Sequence, residues 1–322
     1  MVATDLVLAG DYVVRAPEAG DAGGVFEMMA GYNAAVVGFA DCTPDEVAEN
    51  MVEPGFDPST DGWIVLDAGS GRPAGYGIAF PKGDRQEISL EVTAPDPAVA
   101  DWLIKQVLRR AVEMGRERGH AEVTVDSYNY RADEMMRAEL SDHGFTVGTT
   151  YQWMRVDHAG DVAAPDVPAG FVVRRGAFDD ASQLAVHEAL IESFRGQFGY
   201  VARPHDEWVQ AQEARAGFDW AQYTTLEVDG RVAAVRLCSD RHVETNDCGH
   251  IGMLGVVEEF RGRGLAKFLL RDAFAHDAAA GRTGTILNVD TNNPTPALAL
   301  YLSVGMKPGL VCEGWRRMLA TT

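Results

Sequence analysis

Tyr-Val-Val-Arg at 12–15 and Phe-Val-Val-Arg at 171–174 are short, β-branched runs of the kind that pack on a pleated sheet. Each is followed by a stretch whose apolar residues recur at helical spacing, DAGGVFEMMAGYN in one case and DASQLAVHEALIESF in the other. The two runs start 159 residues apart, and the offset recurs. WIVLDAGSGRPAGYGIAF at 63–80 matches YTTLEVDGRVAAVRLCSD at 223–240, with Gly71-Arg72 opposite Gly230-Arg231, and both read as hairpins that turn at the glycine. Later, VEMGRERGHAEVTVDS parallels AHDAAAGRTGTILNVDT, and Gly144 and Gly305 lie 161 residues apart. Small loop insertions account for the drift, so the chain reads as two copies of one fold.

In the second copy the pattern predicts strands near 171–175, 222–228, 232–240, 248–257, 284–290, 305–308 and 311–319. Helices are predicted near 179–194, 205–215, 263–280 and 294–304. Antiparallel strands first and β-α-β units afterwards make an α/β chain of α+β character. Each copy is expected to form a mixed, mostly antiparallel sheet flanked by helices. The segment DHAGDVAAPDVPAG, 157–170, is rich in Ala, Pro and Asp and reads as a linker, which puts the expected domains at 1–156 and 171–322.

Composition narrows the function classes. Formal net charge is −20; residues 1–160 carry 27 acidic and 12 basic side chains, net −15, and residues 161–322 carry 21 and 16, net −5. Neither half has the basic stripe that a phosphate backbone demands, so nucleic acid is excluded as a partner. The acidity serves solubility or draws in a cationic substrate. Four cysteines, Cys42, Cys238, Cys248 and Cys312, show no C-x-x-C spacing, and no H-E-x-x-H is present, so no metal is expected. No apolar run approaches membrane-spanning length, and the first residues do not resemble a signal peptide. A cytoplasmic protein without membrane contact, monomeric or homodimeric, is the expectation.

The candidate chemistry lies at 254–267. The order strand IGMLGVV, turn EEFRGRG, helix LAKFLLRDAFAHDAAAG sets unsatisfied backbone N–H groups and the positive end of a helix dipole beside Arg261 and Arg263. Gly262 and Gly264 let the backbone approach an anion closely, while Leu265, Phe268, Leu269 and Phe274 give the helix an apolar face. A P-loop would need G-K-[ST]; a dinucleotide fingerprint would need a third glycine where Lys267 stands. Neither fits.

Arg261-Gly-Arg-Gly264-Leu-Ala266, after Leu254-Gly255-Val256, resembles the pyrophosphate signature Arg/Gln-x-x-Gly-x-Gly/Ala of the GNAT superfamily of acyl-CoA-dependent acetyltransferases. Asn293, Ala297, Tyr301 and Gly305-Met306 resemble its second signature, with Asn293 one residue farther from Ala297 than usual and Met306 in place of Phe. The resemblance implies tandem GNAT-like domains. Acetyl-CoA would be the co-substrate, its pyrophosphate held by amides from Arg261 to Ala266 with Lys267 also binding the cofactor, its pantetheine arm paired with Leu254–Val256, and Asn293 nearby. Tyr301 would be the acid that protonates the departing sulfur. The superfamily's base position falls on His250, with Glu227, Asp247 and a water relay as rivals. The first copy has Ala94-Pro95-Asp96-Pro97-Ala98 in place of the glycine turn and Leu140 in place of the tyrosine, so it is expected to be degenerate. Its expected roles are to brace the catalytic copy and to wall the acceptor.

The layout is similar to that of mycothiol synthases within the superfamily. The preferred reading is an N-acetyltransferase for a primary amine of some other small cationic molecule; mycothiol synthesis proper and a non-catalytic acyl-CoA sensor are the alternatives. Phe198, Tyr200 and Trp208 precede the second hairpin, where acceptor pockets form; the plainer reading makes them core residues.

Overall fold

The computed structural model describes residues 8 and 10–322 apart from 54, 85, 177, 216, 217 and 294. The chain forms two compact units, one of residues 1–150 with 311–322, the other of residues 151–310. No helix among the described residues is long and apolar enough to cross a membrane.

The first copy supplies β1 (Tyr12–Arg15), β2 (Gly62–Asp67), β3 (Pro73–Lys82), β4 (Glu87–Thr93), β5 (Glu122–Tyr130) and β6 (Thr146–Asp157). Its helices are α1 (Ala22–Val37), α2 (Pro44–Asn50), α3 (Pro58–Asp61), α4 (Pro97–Arg118) and α5 (Glu134–Asp142). The second copy supplies β7 (Val172–Arg175), β8 (Tyr223–Val228), β9 (Arg231–Ser239), β10 (Cys248–Val256), β11 (Gly284–Asp290) and β12 (Lys307–Ala320). With them come α6 (Asp180–Phe194), α7 (His205–Glu213), α8 (Val243–Asn246), α9 (Leu265–Ala279) and α10 (Ala297–Ser303). The two strands expected at 305–308 and 311–319 are thus one continuous strand, and the helix expected from 294 starts at Ala297.

The sheets of the two units follow one plan. In the first, β1 to β4 run antiparallel to one another, β4 and β5 are parallel, and β5 is antiparallel to β12. In the second, β7 to β10 are antiparallel, β10 and β11 are parallel, and β11 is antiparallel to β6. Each copy's last strand therefore completes the sheet that the other copy begins, which the expected boundaries at 156 and 171 do not show. Side chains pin β12 to the first unit. Glu313, 4% exposed, accepts from Arg131 at 2.7 Å and Arg137 at 3.0 Å, and the Arg316 fork holds Asp126 through two 2.7 Å bonds.

Local chemistry sets the corners. Asp229 and Gly230, both at positive φ, close the β8–β9 hairpin as a mirror-image turn requires. α4 starts on Pro97 and stops at left-handed Gly119, and it buries Val99, Leu103, Ile104, Val107 and Ala111 against its sheet. In the second unit α9 buries Leu265, Phe268, Leu269 and Phe274 in the same way.

Candidate active site

β10 is paired on both sides only over its first half. Residues Cys248–Ile251 are in parallel register with Gly284–Leu287, after which β11 pairs on to Asp290 with β6 alone, and β10 continues to Val256 against β9 alone. The β9 register shifts between Ile251 and Met253, so Gly252 is a bulge residue where the two strands part. The edge of Gly252–Val256 that faces β11 is left without a strand partner. An extended chain with its own amides could fill it as an added strand does.

The parted strand leads into a short turn at Glu258–Phe260 and then to the start of α9. Gly262 and Gly264 are both left-handed, φ 76 and 79, and a side chain on either would point into open space. Gly264, the cap residue of α9, has no side chain to offer, and among the described residues no side chain bonds the first-turn N–H groups. Arg263 lies over the Phe260 ring at 5.4 Å, and Arg261 Nε donates to the Val256 carbonyl at 3.1 Å, so both guanidinium groups stay at the turn. Along the same helix Lys267 and Arg271 meet no acidic partner among the described residues. With Gly264, Phe268 and Phe274 they line a cavity of about 750 Å³ that continues under the segment after β6. Open glycines, uncapped amides and unpaired cations fit a polyanionic diphosphate.

Tyr301 on α10 is buried, 8% exposed, in one cluster with Ile251, Leu287, Met154 and the α9 residues Leu270 and Phe274; Leu254 packs against the same cluster. Burial pushes its phenol up to about 12, and the hydroxyl has no hydrogen-bond partner among the described residues. His250 precedes Ile251 and so faces the other side of the sheet. The two candidates are not in contact. They flank the point where β10 and β11 separate, one on each face. His250 Nδ1 lies 2.9 Å from Ser239 Oγ, and His242 presents its ring at 5.0 Å and 85°. Burial first, then His242 and the Arg241 guanidinium, pushes the His250 imidazole down to about 3; burial likewise takes His242 down to about 4. Both rings are neutral in neutral solution. No signal in the sequence marked Ser239 or His242; cross-strand register and the β9–β10 loop bring them in.

The rivals sit elsewhere. Glu227 is ion-paired with Arg174 at 3.1 Å, and Asp247 sits just before β10, three residues from His250, where its carbonyl accepts from Thr283. Asn293 spends its side-chain oxygen on Thr295, 2.9 Å from the amide and 2.7 Å from the hydroxyl, which shapes the turn before α10. Of the aromatic residues, Trp208 is core, stacked on His187 at 4.5 Å, while Phe198 and Tyr200 are half-buried; the Phe198 carbonyl accepts from the Tyr151 hydroxyl at 3.2 Å.

The model of the family described as the Acetyltransferase (GNAT) family matches residues 185–306. A protein named mycothiol acetyltransferase, from Streptomyces avermitilis, is 30% identical over 226 residues, which cover 67% of this chain and 70% of that one. A GCN5-related N-acetyltransferase from Sphaerobacter thermophilus has a crystal structure similar to this chain, with a TM-score of 0.76 at 22% identity and 98% of each chain covered. A tandem GNAT protein from the clavulanic acid biosynthesis pathway gives a TM-score of 0.67 at 16% identity, over 95% of this chain and 98% of that one. At those identities the two structures speak to fold alone.

Proposed function

The chain belongs to the GNAT family of acetyltransferases, and from that premise we propose that it moves the acetyl group of acetyl-CoA to the primary amine of a small cationic molecule, with the chemistry in the unit of residues 151–310. The observation that carries this reading is the free edge of Gly252–Val256 running into the uncapped, glycine-lined start of α9. The net charge of −20 supports a cationic acceptor.

In this reading the amides from Arg261 to Lys267 bind the diphosphate, Leu254–Val256 orient the thioester, and a free amide of that edge polarises its carbonyl. One well-placed donor of that kind is worth roughly 2.7–4 kcal/mol. Lys267 and Arg271 take the remaining phosphate charge. His250 Nε2 receives the amine proton as the C–N bond forms. As the C–S bond breaks, the Tyr301 hydroxyl, still protonated because burial holds it near 12, gives its proton to the sulfur. Amide and free thiol leave, and solvent restores both side chains.

The test is release of free thiol from acetyl-CoA across a panel of mono- and diamines. Amine-dependent release supports the reading; tight acetyl-CoA binding without release from any amine would make the chain a sensor. Identity of 30% to mycothiol acetyltransferase favours one further acceptor, that relative's own, and the panel includes it.

A further inference from the structure

An imidazole held near 3 is free to accept a proton at neutral pH but is a poor holder of one, because a base works best with its pKa near the working pH. What touches the ring decides whether it can carry the imidazolium during turnover. β9 presents Ser239, directly opposite His250 in the antiparallel pair, with Oγ 2.9 Å from Nδ1. β11 presents Ile286, its apolar neighbour in the parallel register. The β9–β10 loop presents His242, 2% exposed, and Arg241, the titratable and charged groups that act on the ring. α6 crosses the same face farther along β10, where Ser193 lies against Gly255. Among the described residues no carboxylate contacts the imidazole. Ser239 Oγ is the hydrogen-bond partner of the ring among the described residues, and that oxygen has no other. His250 Nε2 lacks a hydrogen-bond partner among the described residues, as the His242 Nε2 does, but unlike that atom it is not enclosed.

We propose that Ser239 is the positioning residue of the reaction: it holds His250 as the Nδ1–H tautomer, which leaves the Nε2 lone pair for the amine proton, and its oxygen accepts Nδ1–H in the imidazolium that forms. The proton balance is simple. One proton passes from the amine to Nε2, Nδ1 keeps its own, and none goes to serine. A hydroxyl carries two acceptor lone pairs, so the Ser239 oxygen can accept Nδ1–H in the neutral ring and in the imidazolium alike, whereas an alanine would leave Nδ1–H without an acceptor on a half-buried cation. The proposal rests on His250 as the base.

Nitrogen-15 NMR of the full chain at pH 7, with the His250 signals assigned through His250→Gln, reads the tautomer without any turnover. The expected spectrum shows a protonated Nδ1 and a bare Nε2. In Ser239→Ala the population moves toward Nε2–H, and turnover at saturating acetyl-CoA falls on the order of 10- to 100-fold while acetyl-CoA affinity stays the same; Ser239→Thr, which keeps the hydroxyl, restores both. A wild-type Nε2–H tautomer overturns the proposal, and so does a Ser239→Ala protein with unchanged turnover. If His250→Ala abolishes turnover and Ser239→Ala does not, the base stands and the positioning role falls. If His250→Ala turns over normally, both fall.

Discussion

In the unit of residues 1–150 and 311–322, β4 parts from β5 after Ser89, as β10 parts from β11 after Ile251. The helix that follows opens differently in the two. α4 begins on Pro97, which has no N–H to offer, and the Asp96 carboxylate accepts from the Ala98 amide at 2.8 Å and from the Tyr12 hydroxyl at 3.2 Å. α9 begins behind left-handed Gly264, with no side chain on its first amides among the described residues. One helix dipole is therefore answered by the protein's own carboxylate, and the other has no such carboxylate among the described residues. The position of the buried Tyr301 is taken in the first unit by Leu140, fully buried in the core. On one shared backbone plan the two units differ in a handful of residues at one turn, and the proposed site rests on that difference.

The contrast can be broken most sharply at Gly264. Gly264→Glu places a carboxylate where phosphate would lie and forces a side chain into the left-handed region. Acetyl-CoA affinity by titration calorimetry is expected to drop at least about 100-fold, or ~2.7 kcal/mol; retained affinity would remove the turn from the site. Next is Tyr301→Phe, expected to lower kcat about 10- to 100-fold with the acetyl-CoA dissociation constant unchanged. Equal turnover would show that the phenol only packs. Replacing Lys267 and Arg271 together by alanine should weaken acetyl-CoA about tenfold at low salt and less as salt rises; a salt-independent loss would point to packing instead.

The complementary change, Asp96→Ala, removes a cap. It should cost the first unit about 1 kcal/mol in a denaturant melt and leave acetyl-CoA affinity as it was. The smallest effect expected is the absence of one. His250 is already neutral above about 3 and Tyr301 stays protonated to about 12, so log kcat/KM should pass pH 6.5 without a bend of the enzyme's own. A bend there that His250→Gln abolishes would mean an imidazole charged in mildly acid solution.

Much of this was legible in the chain, because helix starts, hairpin glycines and strand alternation are local signals. The glycine turn of 261–264 and a helix near 263–280, observed at Leu265–Ala279, follow from spacing. What was not legible depends on partners distant in sequence. An alternating strand carries no record of which sheet it will join, so β6 and β12 exchange places unseen until Arg316 meets Asp126 across 190 residues. Asn293, placed by its likeness to the family's second signature, spends its oxygen on Thr295, two residues on. Ser239 and His242 are ordinary polar residues until the β9–β10 register brings them to His250.

Amide hydrogen exchange on the full chain, with and without acetyl-CoA, tests the central claim most directly, since it locates the ligand in one unit or the other. Protection is expected across 252–256 and 262–267, with residues 90–98 unchanged. Protection at 90–98, or none at 252–267 under saturating acetyl-CoA, would contradict the account.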